Sequence, residues 1–191
     1  MERIETTVEA GPYRLSIVRP RDAAELIDED AFAENEFLPY WAELWPSGVA
    51  LARAAAELVR PGDRVVELGC GLGVASITAA LSGGEVLATD WSTEALDFAR
   101  ENAARNGVLL ETALVAWTGP DELLARAPWD LVLAADVLYE NRNIEPLAAL
   151  LPRLGDRALI ADPGRPAAKT FFDTLRWETR ELGGGVTEAR R

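Results

Sequence analysis

Histidine is absent from all 191 residues. That removes every His-containing catalytic triad, every His metal ligand and the commonest general base. A single cysteine, Cys70, leaves no internal disulfide and no cysteine zinc cluster. Bases are scarce as well: 19 Lys and Arg stand against 32 Asp and Glu, for a formal charge of -13, and Lys169 is the only lysine. A nucleic-acid binder neutralises phosphates with clustered Arg and Lys, so the field of this chain has the wrong sign for that partner. No run approaches the roughly 18 consecutive apolar residues of a membrane span. Met1–Thr7 lack the basic-then-apolar order of a secretory leader. The expectation is a soluble cytoplasmic monomer that uses no metal and binds neither nucleic acid nor membrane. What the chain does have is apolar material, 49% against 27% charged, enough for a core in one domain of ordinary size.

The hydrophobic pattern divides the chain into short segments. Residues 4–18 read as two strands turning at Ala10-Gly11-Pro12. Residues 28–36 hold five acids and no base, which suits a solvated loop or, alternatively, a lip that attracts a basic substrate. Pro46 and Ser47 open a helix whose Val49, Ala52, Ala55 and Val59 recur at helical spacing until Pro61-Gly62. Strands follow at 64–68, 85–89, 110–116, 130–134 and 158–161, with a last hairpin at 177–182 and 186–189 around Gly183–Gly185. Helices are expected from the glycine loop to about Leu81, from Ser92 as N-cap to Asn106-Gly107, over 144–151 and over 166–175. Such alternation predicts an α/β, Rossmann-like, doubly wound and mostly parallel seven-stranded sheet with helices on both faces, plus an N-terminal hairpin and helix. We read one domain, with residues 1–60 as extension and cover and 61–191 as the core.

Ligands of open α/β sheets lie beyond the carboxyl ends of the strands. Those ends carry Glu67, Asp90 and Asp136 on the first, second and fourth core strands, around the loop Gly69, Gly71, Gly73. Glycines there let the backbone approach a ligand and turn into a helix N-terminus. Asp90 falls 17 positions after Gly73, where an acid accepts hydrogen bonds from ribose hydroxyls. A dinucleotide fingerprint would need glycine at position 74, and Val74 stands there. The pattern is E-x-G-x-G-x-G, beginning at Glu67. A pyrophosphate has no use for an adjacent carboxylate, whereas a ligand bearing an ammonium does. S-adenosyl-L-methionine, with ribose, amino group and sulfonium, matches these acids better than NAD.

Val66–Gly73, Asp90 and the strand order resemble the class I, seven-β-strand S-adenosylmethionine-dependent methyltransferases. Asp136-Val-Leu-Tyr139-Glu140 is similar to the D-x-x-Y motif of their protein lysine methyltransferase family, and Pro39–Gly48 to the Trp-containing segment preceding its core. Asp162-Pro-Gly-Arg-Pro166 resembles the branch that methylates the β-subunit of electron transfer flavoprotein. The resemblance implies lysine N-methylation of a protein, with that β-subunit as a candidate partner and S-adenosyl-L-homocysteine as product. Alternatives are methylation of a small-molecule amine or metabolite, or a non-catalytic cofactor-binding module.

The same resemblance implies roles. Asp136 and Tyr139 would hold the target lysine, with Asp136 also beside the cofactor; an N-cap with a packed Tyr is the plainer reading. Glu67 would receive the methionine ammonium or cap a nearby turn. Asp90 would bind ribose. Trp117 would lie on adenine or pack in the core, Trp91 would flank adenine or shield the strand end, and Trp45 would cover the cofactor or act structurally. Gly69, Gly71 and Gly73 complete the cofactor set, while Cys70 reads as a small buried filler.

Overall fold

The computed structural model describes residues 2–26 and 39–191, so the acidic run 28–36 lies outside the described residues. Strands β1 (Arg3–Ala10) and β2 (Tyr13–Pro20) form an antiparallel hairpin closed at Ala10 and Tyr13, as the sequence led us to expect. Helix α1 (Pro46–Leu58) follows. The core then alternates: β3 (Arg64–Leu68), α2 (Val74–Leu81), β4 (Glu85–Asp90), α3 (Thr93–Arg105), β5 (Glu111–Leu114), α4 (Asp121–Ala125), β6 (Leu131–Ala135), α5 (Ile144–Leu154), β7 (Arg157–Ala161) and α6 (Pro166–Leu175). The antiparallel pair β8 (Glu178–Gly183) and β9 (Val186–Arg190) completes a seven-stranded sheet in the order β5-β4-β3-β6-β7-β9-β8. The strands from β3 to β7 run parallel, and β9 joins β7 antiparallel.

Alternate residues of the central strands feed opposite faces, because side chains alternate along a strand. Val65, Leu131, Leu133 and Leu159 pack with the hairpin, α1, α2 and α3. Val66, Leu68, Val132, Ala134 and Ile160 pack with α4, α5 and α6. Each strand is therefore apolar on both sides, which is why it reads in sequence as a short unbroken hydrophobic run.

Two asparagines attach the hairpin to this core. Asn102 accepts from Val18 N at 2.8 Å and donates to Val18 O at 3.1 Å, and it also donates to Leu72 O at 3.1 Å. Asn106 repeats the pattern with Ser16, at 2.9 and 2.8 Å. Four residues along a helix rise about 6 Å and two along a strand about 6.6 Å, so an i,i+4 pair can serve a strand's i,i+2 edge as a neighbouring strand would.

The structure differs from expectation in a few boundaries. The third core strand keeps only 111–114 of the expected 110–116, and α4 was not anticipated. Helix α5 continues past Leu151 through Pro152 to Leu154, because Ile144, Leu147, Leu150, Leu151 and Leu154 remain buried at helical spacing. Packing of that stripe outweighs the hydrogen bond that proline removes. The expected Ser92 N-cap is present, its Oγ accepting from Ala95 N at 3.2 Å.

Candidate active site

Strand β3 lies between β4 and β6, so the chain direction of successive crossovers reverses there and a crevice opens beyond the strand ends. The glycine loop fills the floor of that crevice. Gly71 has φ +50, and a Cβ added to it would sit 3.2 Å from the Trp41 carbonyl oxygen. Only glycine lets the 40–42 turn close down on the loop in this way. Gly73, φ +81, is the N-cap of α2 and backs onto Ala99 of α3. It supports the loop from behind and is not among the cavity's lining residues, unlike Gly69 and Gly71.

Asp90 is 4% exposed at the end of β4. One carboxylate oxygen accepts from Gly71 N at 2.9 Å and the other from Ser92 N at 3.0 Å. It thus ties the glycine loop to the start of α3, and each oxygen retains acceptor capacity for a hydroxyl. Burial pushes its carboxyl above the ordinary aspartate value, with the loop N–H groups opposing. Glu67 is 3% exposed and accepts from Ser76 N at 2.8 Å and from the Ser76 hydroxyl. The contact seen is therefore the capping one, into the first turn of α2, although Glu67 also borders the cavity. Burial pushes it up to about 8, so its carboxyl keeps its proton at neutral pH. Cys70 sits between these two acids, its thiol raised far out of the reactive range chiefly by burial.

The opposite wall comes from the end of β6. No helix begins at Asp136, which precedes a turn at Val137 and Leu138; it adopts a left-handed conformation, φ 56, and its N–H donates to Ala161 O at 2.9 Å. Asp136 and Tyr139 nevertheless line the same cavity. Arg165, to which the sequence reading gave no role, reaches in with Nη1 at 2.5 Å from Asp136 Oδ1 and 3.1 Å from Asp162 Oδ2. The Tyr139 ring lies 5.1 Å from Tyr40, and Tyr40 lies 6.1 Å from Trp45, whose indole donates to the Tyr40 carbonyl at 2.7 Å. Burial raises the Tyr139 phenol, which stays protonated as a donor. Tyr40 and Trp41 were also missed in sequence; an aromatic pair directly ahead of the named Trp45 was the available signal.

These walls enclose a cavity of about 300 Å³, at the lower end of small-molecule sites. Trp91, 46% exposed, and the half-buried Trp117 border it together with Asp90. Trp45 borders it from the covering segment. The lining suits a nucleoside: the Asp90 carboxylate for hydroxyls, indoles for a base, and bare loop backbone. Among the described residues, no group of three or more His, Cys, Asp or Glu is arranged to hold a metal ion.

Comparison with known proteins agrees with this geometry. Residues 38–177 match the sequence model of a family described as lysine methyltransferase. The electron transfer flavoprotein beta subunit lysine methyltransferase of Xenopus laevis is 36% identical over 140 residues, covering 66% of this chain and 53% of that protein. The ribosomal protein L11 methyltransferase of Symbiobacterium thermophilum is 40% identical over 124 residues, covering 63% and 40%. The chain spans about half the length of the flavoprotein-subunit methyltransferases it matches. Among solved structures, magnesium protoporphyrin IX methyltransferase from Synechocystis PCC 6803, with bound SAM, superposes with a TM-score of 0.61 at 18% identity, covering 90% of this chain and 98% of that one. At that identity the likeness concerns the fold alone.

Proposed function

The chain belongs to the lysine methyltransferase family, and from that premise we propose that it uses S-adenosyl-L-methionine to methylate lysine side chains of a protein. One observation carries the reading: a single cavity joins Asp90 and the glycine loop to Asp136 and Tyr139. S-adenosylmethionine held by Gly69, Gly71, Asp90, Trp91 and Trp117 would supply a methyl group already activated by its sulfonium. Alignment of the acceptor then contributes much of the acceleration, and a strong base is not required.

Asp136 takes the acceptor nitrogen and Tyr139 offers its phenol to the same group. A free lysine has a pKa of about 10.4, and a nearby carboxylate favours the ammonium. Asp136 therefore orients the nitrogen, and its proton leaves to water. Tyr40 and Trp45 strip water from the approach, which disfavours the charged amine and assists that loss.

The β-subunit of electron transfer flavoprotein is the first acceptor to test, since relatives carry it in their names, and ribosomal protein L11 the second. Incubation with methyl-tritiated S-adenosylmethionine, each purified acceptor and a host lysate, followed by mass spectrometry, should place methyl groups on lysine. Label confined to a small molecule would overturn the protein acceptor, and no label anywhere would overturn the enzyme reading.

A further inference from the structure

We propose that Arg165 is a positioning residue that makes the acceptor site select an ammonium over a guanidinium. This rests on the methyltransferase reading and deepens it.

Arg165 is held at both ends. Its backbone N–H donates to Asp162 Oδ1 at 2.6 Å, beside Gly164 N at 2.8 Å, and its guanidinium reaches Asp162 Oδ2 at 3.1 Å. Asp162 itself is 7% exposed at the end of β7. The guanidinium is thereby fixed where it donates to Asp136 Oδ1 at 2.5 Å. Asp136 is fixed from its own side by the left-handed backbone and the bond to Ala161 O. Residues forced into that region cluster at functional sites.

The result is an asymmetric carboxylate. Oδ1 is committed to Arg165, whereas Oδ2 is shut off from solvent and has no hydrogen-bond partner among the described residues. A buried acceptor without a donor is costly, and a ligand that brings one donor relieves that cost. An ammonium is a compact charge that needs one oxygen. A guanidinium binds carboxylate best as a fork across both oxygens, and Arg165 already occupies one of them. Arg165 thus leaves one oxygen unclaimed for the lysine head group, which must displace the atoms shielding it, and spoils the fork that an arginine acceptor requires.

The test uses the 191-residue chain loaded with S-adenosylhomocysteine and titrated with n-butylammonium or n-butylguanidinium chloride, read by indole fluorescence. Wild type should bind the ammonium about tenfold more tightly than the guanidinium, and Arg165→Met should bring that ratio to about one or below. Arg165→Lys, which can still donate to Oδ1, should retain the preference. S-adenosylhomocysteine affinity within about twofold of wild type would show each variant's pocket intact. Should Arg165→Met not fold, Asp162→Asn keeps the capping oxygen while removing the charge that steadies the guanidinium, and a ratio lowered at least about twofold supports the proposal. No preference in wild type, or an unchanged ratio in a folded Arg165→Met or Asp162→Asn, overturns it and leaves the methyltransferase reading standing. Failure of wild type to bind S-adenosylhomocysteine overturns both.

Discussion

Glu67 has a folded-state value of about 8 against 4.5 for the free side chain, because burial outweighs the two hydrogen bonds from Ser76. The folded state holds this proton more tightly than the unfolded chain. The resulting stability is fully present below pH 4.5 and is lost as pH rises towards 8, by an amount on the order of a few kcal/mol. Glu67→Gln keeps an acceptor for Ser76 and removes the titration. Urea unfolding at pH 5 and pH 8.5 should show wild type losing more stability than the variant, and equal losses would refute this account. On the proposed function, Asp90 and Asp136 should separate by task. Asp90→Ala frees Gly71 N and Ser92 N and should weaken S-adenosylhomocysteine binding about tenfold or more. Asp136→Ala should keep that affinity within about twofold while cutting methyl transfer at least about 100-fold. Calorimetry on both variants decides the matter, and equal loss of binding would sink the division. These acids were legible in sequence because a charge ending an apolar strand needs partners. Arg165 was not, because its contact with Asp136 spans 29 positions and exists only where β6 and β7 lie side by side.

Between elements, Asn102 links three segments: β2 through Val18, the glycine loop through Leu72, and its own helix α3. It is fully buried, so Asn102→Ala strands Val18 N and O and Leu72 O without water to replace the lost amide. The expected cost is roughly 2–4 kcal/mol in chemical denaturation. A loss no greater than that of Glu57→Ala on an exposed helix face would contradict the linking role. The elements themselves were readable from periodicity and caps, as at Ser92 and Gly107. Their docking was not, since nothing in the pattern of α3 distinguishes an asparagine facing water from one that serves a strand edge. The short α4 escaped notice because five residues are too few to display a helical period.

Across the whole molecule, the ligand cavity draws its walls from β3, β4 and β6 and from the covering segment ahead of α1. Ligand occupying it should therefore stabilise the protein in a single unfolding transition. At 100-fold over its dissociation constant, S-adenosylhomocysteine should add about 2.7 kcal/mol. Thermal unfolding should show that shift, with no comparable shift from NAD, whose fingerprint Val74 interrupts. A shift with NAD alone would point to another cofactor. The doubly wound sheet was legible because central strands buried on both faces read as unbroken apolar runs. Much of the -13 charge has no assigned task in the cavity.

Asp136 and Asp162 follow the ends of adjacent strands, whose register sets Ala135 opposite Ala161. Neighbouring strands lie about 4.8 Å apart, a gap that one guanidinium can bridge. The spacing between Asp136 and Asp162, which Arg165 bridges from the short loop before α6, is thus inherited from the sheet's own ruler. A one-residue slip of β6 against β7 would turn alternate side chains to the other face. On the proposed function, methyl transfer would then fail together with the packing of both core clusters, which makes strand register a condition of activity.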